Sequence, residues 1–437
     1  MIIGWPCCNY FLNGILNPPG PPVPPEPLPL RMVWDNIANA PVVDPTSVAD
    51  WNAFYGATFT SVVVAGNQVD LFGGVNVTIA GIFFNNTNLQ QIIDFTPCVV
   101  AVGNDSFNQA SSLNTCILNS CLSIGSNAFF LTSALTTTEF DEVITIGDNA
   151  FEGSGITVCN FDNVTTIGIS SFASTGNFAD PSFPICTSAG EAAFSGSGCE
   201  TSSFPILTTI PDNMHNACAS LLTYDFGAAT SIGKSAFVDC TLLGEIEFLV
   251  AVTVGNNAFQ NCTTADPINM PAMTDAGHFA FTNCSTTTSF TAPLLATIGD
   301  SCISDLNSLI TLSLPSLLTG GADCLSNNDI LATVSIPLCT SLGNGELQNC
   351  PLLSSLDIAS LIAVSGVVSF TNTGAAFTFI NMPTIIDATS GGYPTALTFG
   401  MTITVNVNVV LQTIDAGAPA PWILTLQANN TATVNYI

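Results

Sequence analysis

The stretch VTVGNNAFQNCTTADPINMPAM, residues 253–274, holds one complete structural period of this chain. Its opening, Val254-Gly255 followed by Phe259, returns as Ile124-Gly125 with Phe129, Ile146-Gly147 with Phe151, Ile167-Gly168 with Phe172 and Ile232-Gly233 with Phe237. Weaker copies place the glycine at Gly103, Gly190, Gly277, Gly299, Gly321 and Gly343, and Pro211 and Ser365 take the same place in two more. The steps between these thirteen positions are 22 residues ten times and 21 residues twice. Such regularity marks a solenoid, in which each repeat is one turn stacked on its neighbours. Gly81, one period before Gly103, begins a degenerate fourteenth.

Each conserved spacing within the unit has a physical role. The Phe four residues after the glycine points inward and stacks on the Phe of the next turn, and the glycine permits a corner that a β-carbon would obstruct. Thirteen residues past the glycine comes an alternating apolar pair: Ile246/Phe248, Ile268/Met270, Leu312/Leu314, Val334/Ile336 and Leu356/Ile358. This pair reads as a short strand, so each turn adds a rung to one parallel β-sheet. At about 4.8 Å per rung, thirteen turns make a rod or arc roughly 60 Å long.

These residues resemble the BspA-like leucine-rich repeat family, whose unit reads approximately IGxxAFxxCxxLxxIxLPxxLxx. The resemblance covers residues 81–385. It implies a leucine-rich-repeat solenoid and a surface-exposed binding or adhesion role, and it carries over no catalytic residue.

Composition limits the function further. The 437 residues hold 31 acidic side chains against two basic ones, Arg31 and Lys234, for a formal net charge of −29. A chain so poor in cations cannot neutralise phosphates, which excludes nucleic acid as a partner, and anionic lipid headgroups fail for the same reason. Only 8% of residues are charged and 47% are apolar, so the chain is not an acidic disordered polymer. No apolar run reaches the roughly 18 residues of a membrane-spanning helix.

Four segments follow. Residues 1–31 combine an apolar segment with PPGPPVPPEPLP (18–29), whose eight prolines favour an extended polyproline strut. Ile2, Ile3, Trp5, Tyr10 and Phe11 are costly to leave in water, so the segment is read as an anchor that inserts into a larger particle. The start also lacks the positive region of a secretory signal. Residues 32–80 form a small α/β cap: Asp44-Pro45 starts a helix carrying Trp51, and a hairpin turns near Gly66-Asn67. Residues 81–385 are the solenoid. Residues 386–437 alternate strongly around ITVNV and read as a β-rich cap that covers the last rung or pairs with a second copy, making a homo-oligomer.

Sixteen cysteines suggest disulfides until they are mapped. Cys218, Cys240, Cys262, Cys284 and Cys350 all lie seven residues after the corner position, and Cys302 and Cys324 take a slot that Ala fills elsewhere. Stacked side chains keep their β-carbons about 4.8 Å apart, beyond the usual 3.5–4.5 Å of a disulfide. A one-dimensional ladder also cannot build the tetrahedron zinc needs. These are read as buried thiols serving as small apolar residues. Cys116, Cys121, Cys159, Cys186, Cys199 and Cys339 lie off the ladder, where a bridge stays open.

Catalytic groups are sparse. His215 occupies the Phe slot of its turn and reads as a core replacement, while His278 sits on a corner. Asp141-Glu142 with Asp148 or Glu152 lacks the spacing of a calcium loop. Neither an enzyme nor a metal or cofactor is expected. The outward strand residues are the candidate ligand-binding face: Glu139, Thr223, Asp225, Glu245, Glu247, Asn269, Thr291, Thr311, Thr333 and Asp357. This lane of hydroxyls, amides and carboxylates suits a host-surface glycan or a basic protein surface. With the anchor segment, it points to a fibre or spike of a phage virion. The alternative is a bacterial or protist cell-surface adhesin.

Overall fold

The computed structural model describes residues 98–343 without interruption, together with shorter stretches between 30 and 95 and between 345 and 436. The anchor residues Ile2 to Phe11 and the proline strut lie outside the described residues. The chain winds as a parallel β-solenoid whose rungs fall where the 22-residue period puts them.

The expectation of a single sheet is corrected. Two ladders of short parallel strands run along the solenoid, and each is broken into sections. The front ladder contains the expected strands, such as Thr311–Ser313, Thr333–Ser335 and Ser355–Asp357, with Thr311, Thr333 and Ser355 in register. The second, or corner, ladder is made of the residues immediately before each glycine, such as Thr145–Ile146 and Thr166–Ile167. A corner rung precedes every one of the thirteen periodic positions, and Val77–Ile79 adds the degenerate turn upstream.

At most corners the glycine N–H donates to the carbonyl of the residue just before the preceding corner position, as Gly233 does to Ile210 and Gly255 to Ile232. Pro211 has no N–H to give. The corner ladder divides there, into a six-stranded section ending at Ser188–Ala189 and an eight-stranded one starting at Thr209–Ile210. The glycines themselves are demanded by close approach. A β-carbon on Gly125 would lie 2.6 Å from the backbone nitrogen of Asn104, and one on Gly255 would lie 2.6 Å from that of Lys234.

Between corner and front, the backbone twice enters the left-handed region per turn. Asn127, Asn149 and Asn257 do so two residues after their glycines, and Asn261, Asn283 and Asn327 six residues after theirs. Asparagine tolerates this conformation better than most side chains. The second set also bonds along the axis: Asn261 Nδ2 donates to Asp239 Oδ1 (2.7 Å) and Asn283 Nδ2 to Asn261 Oδ1 (3.0 Å).

The predicted aromatic spine is present. From Phe83 through Phe107, Phe129, Phe151, Phe172, Phe194, His215, Phe237 and Phe259 to Phe281, successive rings lie 5.1 to 5.6 Å apart and within 15° of parallel. Each such contact contributes about 0.5–1.5 kcal/mol beyond simple burial. A second stack, Phe161, Phe183, Phe204 and Phe226, runs beside it behind the front ladder.

At the N-terminal end, Ser61–Ala65 and Gln68–Phe72 form the expected hairpin, and Leu30–Trp34 joins it antiparallel to Leu89–Asp94, the first front rung. Of the predicted helix, Ala49, Trp51 and Asn52 are helical, and Trp51 is buried. At the other end Phe379–Met382, Ile403–Val407 and Ala432–Tyr436 extend the front ladder in parallel register. The rungs continue after the sequence period has faded.

Candidate functional site

The ten lane residues all stand on the outward side of the front ladder or directly beside it. Their inward neighbours explain why. Thr138, Ile246, Ile268, Phe290, Leu312, Val334 and Leu356 are buried in the core, and strand geometry sends alternate side chains the opposite way. Glu139, Thr223, Asp225, Glu245, Glu247, Thr291 and Thr311 are exposed, whereas Asn269, Thr333 and Asp357 are half-buried. Several bond along the axis. Asn269 Nδ2 donates to Glu247 Oε1 (2.9 Å), Asn119 Nδ2 to Glu139 Oε2 (3.2 Å) and Ser335 Oγ to Asp357 Oδ2 (3.4 Å).

The lane is not continuous. Its strands fall into four sections, with gaps between Glu139 and Thr201, between Asp225 and Ile246, and between Thr291 and Thr311. Of the two basic residues, Arg31 stands on the strand beside the first front rung, 5.0 Å over the Phe95 ring, and Lys234 sits on the corner, where its backbone N–H donates to Asp212 Oδ1 (2.7 Å).

The corner supplies its own row of capping groups. Asn104, Asp148, Asp212, Asn256 and Asp300 each accept the N–H of the equivalent residue one turn later. His278 belongs to this row, its Nδ1 accepting the Asp300 N–H at 3.0 Å. These acids and amides serve the fold, a role visible in sequence only as a polar residue after most corner positions.

Of the two histidines only His278 reaches the surface, where its Nδ1 also lies 3.1 Å from Asp300 Oδ2. His215 is fully buried, and burial pushes its pKa down to about 3. All fourteen described cysteines are free thiols. The ladder thiols donate to the carbonyl of the spine residue one turn back: Cys240 Sγ to His215, Cys262 Sγ to Phe237 and Cys284 Sγ to Phe259, at 3.2, 3.2 and 3.3 Å. Burial pushes the Cys284 thiol up to about 12, so it stays protonated and able to donate. Off the ladder, Cys199 Sγ accepts from the Ser197 hydroxyl at 3.3 Å, and the same hydroxyl lies 3.4 Å from the ladder thiol of Cys218. Among the described residues no group of three or more His, Cys, Asp or Glu side chains is arranged to hold a metal ion, and no helix is long and apolar enough to cross a membrane.

The model of the BspA type leucine rich repeat region matches in six copies, over residues 50–179, 145–266 and 252–376. This chain belongs to the BspA-type leucine-rich repeat family. Among solved structures it is similar to a leucine-rich repeat protein from Bacteroides ovatus, at 18% identity and a TM-score of 0.57, over 86% of this chain and 90% of that one. It also resembles a leucine rich cell surface protein from Faecalibacterium prausnitzii, at 17% identity and a TM-score of 0.34, over 71% and 95% of the two chains. Among curated proteins none matches the sequence. At these identities the likeness concerns the fold. A repeat array of this family suits non-enzymatic recognition: the positions that recur from turn to turn build a scaffold and leave an outward row of differing polar residues.

Proposed function

We propose that this BspA-type solenoid is a recognition module whose front ladder engages a glycan or a basic protein patch on a host surface, and that residues 1–31 seat it on a larger particle, a phage virion. The observation that carries this reading is the contrast between two polar rows. The corner row is occupied in capping the next turn, whereas Glu139, Thr223, Asp225, Glu245, Glu247, Thr291 and Thr311 project from a ladder whose other side is core. A fixed spacing of hydroxyls and carboxylates is pre-organised for an extended ligand.

The apolar segment followed by a proline strut supports the seat on a particle, because such a strut holds the solenoid clear of its mount. A cell-surface adhesin is the second reading, favoured by membership of a family whose resemblance implies surface-exposed adhesion. Glycan-array binding tests the lane. Binding by the intact chain should fall at least tenfold when Glu245 and Glu247 become Gln and Asp357 becomes Asn, and unchanged binding removes the acidic lane. Deletion of residues 1–30 tests the seat, with loss of attachment to purified virions expected and full retention contradicting it.

A further inference from the structure

One break in the front ladder has a side-chain cause. Thr223–Asp225 pairs back to Thr201–Ser203, and Ile246–Glu247 pairs forward to Ile268–Asn269, yet these two rungs do not pair with each other. Tyr224 occupies the inward position that Ile246, Ile268 and Leu312 hold in later turns. Its ring stacks on Phe248 with centroids 4.8 Å apart, and its hydroxyl accepts the Glu247 N–H at 2.7 Å. The phenol thus accepts the N–H that a ladder carbonyl would otherwise take. Burial raises its pKa, so it remains a neutral phenol.

The gap opens a cavity of about 160 Å³ lined by Tyr224, Phe226, Phe248, Leu249 and Val250, with Asp225 and Glu247 also in its lining. Leu249 and Val250 are 58% and 44% exposed, an apolar rim on the surface. The carboxylates are positioned by their neighbours: Asp225 Oδ1 accepts the Gly227 N–H (3.2 Å) and Glu247 Oε1 accepts from Asn269 Nδ2 (2.9 Å). Sites for whole small molecules begin at roughly 300 Å³, so this cavity suits a single side chain. An apolar channel flanked by two carboxylates matches a methylene stem with a cationic head. The net charge of −29 favours the encounter with a basic partner.

We propose that the Tyr224 cavity receives one lysine or arginine side chain of a partner protein, with Asp225 and Glu247 holding the cationic head. This rests on the reading of the front ladder as the recognition face and names one class of residue it takes.

The test uses the intact, methyl-labelled chain titrated with N-acetyl-lysine methylamide into the millimolar range expected for one side chain. The methyl resonances of Leu249 and Val250 should shift saturably, and the affinity should drop about tenfold in Asp225→Asn and in Glu247→Gln. Tyr224→Val, which supplies the aliphatic residue of later turns, should abolish the shift. N-acetyl-norleucine methylamide, which keeps the stem and lacks the charge, should leave the resonances still. The proposal is overturned by unmoved methyls, by equal shifts from the norleucine compound, by glucosamine shifting them where the lysine compound does not, or by unaltered binding in Asp225→Asn and Glu247→Gln. Silent methyls alongside lane variants that lose array binding would remove the cavity alone. Shifting methyls with unaffected array binding would leave the cavity and remove the lane.

Discussion

His215 Nε2 lies 2.9 Å from Ser202 Oγ inside the solenoid, with the imidazole stacked between Phe194 and Phe237 at 5.4 Å on each side. A histidine in this slot keeps the aromatic stack and satisfies a buried hydroxyl that a phenylalanine would leave unpaired. The cost appears in acid, because the buried ring cannot take up a proton.

That cost sets a pH dependence. Burial lowers the His215 pKa to about 3, against about 6.5 in an unfolded chain. Between these values the unfolded state binds the extra proton, so stability is present above pH 6.5 and is lost as the pH falls towards 3. Replacing the pair together, His215→Phe with Ser202→Val, removes the titrating group and the hydroxyl. Urea unfolding should show the variant gaining about 2 kcal/mol on the wild type between pH 7 and pH 5. Parallel pH profiles would remove His215 as the source.

A corner glycine and a solvent-facing one differ in what surrounds them. Gly255→Ala drives a β-carbon against the Lys234 nitrogen, whereas Gly176 has nothing within 4 Å of the same position. The first substitution should cost at least about 1–3 kcal/mol, the range for forced overpacking. Gly176→Ala should be neutral or slightly stabilising. Thermal melts of the two variants check the contrast, and equal melting temperatures would contradict the tight-corner explanation.

Thiols in the ladder are hydrogen-bond donors as well as filling. Thr132 and Thr175 take the same slot in earlier turns and donate at 2.7 Å to the Phe carbonyl of their own turn. Cys262→Thr should therefore fold with little loss, and Cys262→Val should be less stable than Cys262→Thr by about 0.5–1.5 kcal/mol, the net value of one hydrogen bond. Denaturant titration decides, and equal stability of the two would reduce the slot to apolar packing.

The same burial governs reactivity. With Cys284 and Cys302 pushed up to about 12 and both buried, iodoacetamide at pH 8 should leave them unmodified in the native chain and label them once guanidinium unfolds it. Peptide mass mapping reads the outcome, and rapid native labelling of Cys284 would show that this part of the ladder opens.

Residues that act through a fixed spacing were legible in the sequence, and those that act through one neighbour were not. The Phe four places after the corner glycines from Gly103 to Gly277 announced the spine, and the same spacing from Pro211 put His215 in the core. The corner ladder was missed, although Thr-Ile recurs at 145–146, 166–167, 209–210 and 297–298; two-residue rungs are too short for an alternation pattern to register. The left-handed asparagines left a trace at Asn257, Asn261 and Asn283 that their tolerance of positive φ could have decoded. At the C-terminal end the rungs 379–382, 403–407 and 432–436 keep parallel register across unequal intervals, which no periodicity search follows. The outward positions of the lane were legible from alternation alone. The Tyr224 gap was not, since it depends on a hydroxyl reaching the N–H of the following rung.

Recognition by the front ladder rather than the corner is the centre of the account, and a paired comparison of binding constants tests it most directly. On whichever surface glycan or basic protein the intact chain captures, the triple change Asp225→Asn, Glu245→Gln and Glu247→Gln should weaken binding at least tenfold. His278→Asn, on the exposed corner row, should leave it unchanged. Binding that survives the front-ladder changes and collapses with the corner change would contradict the account.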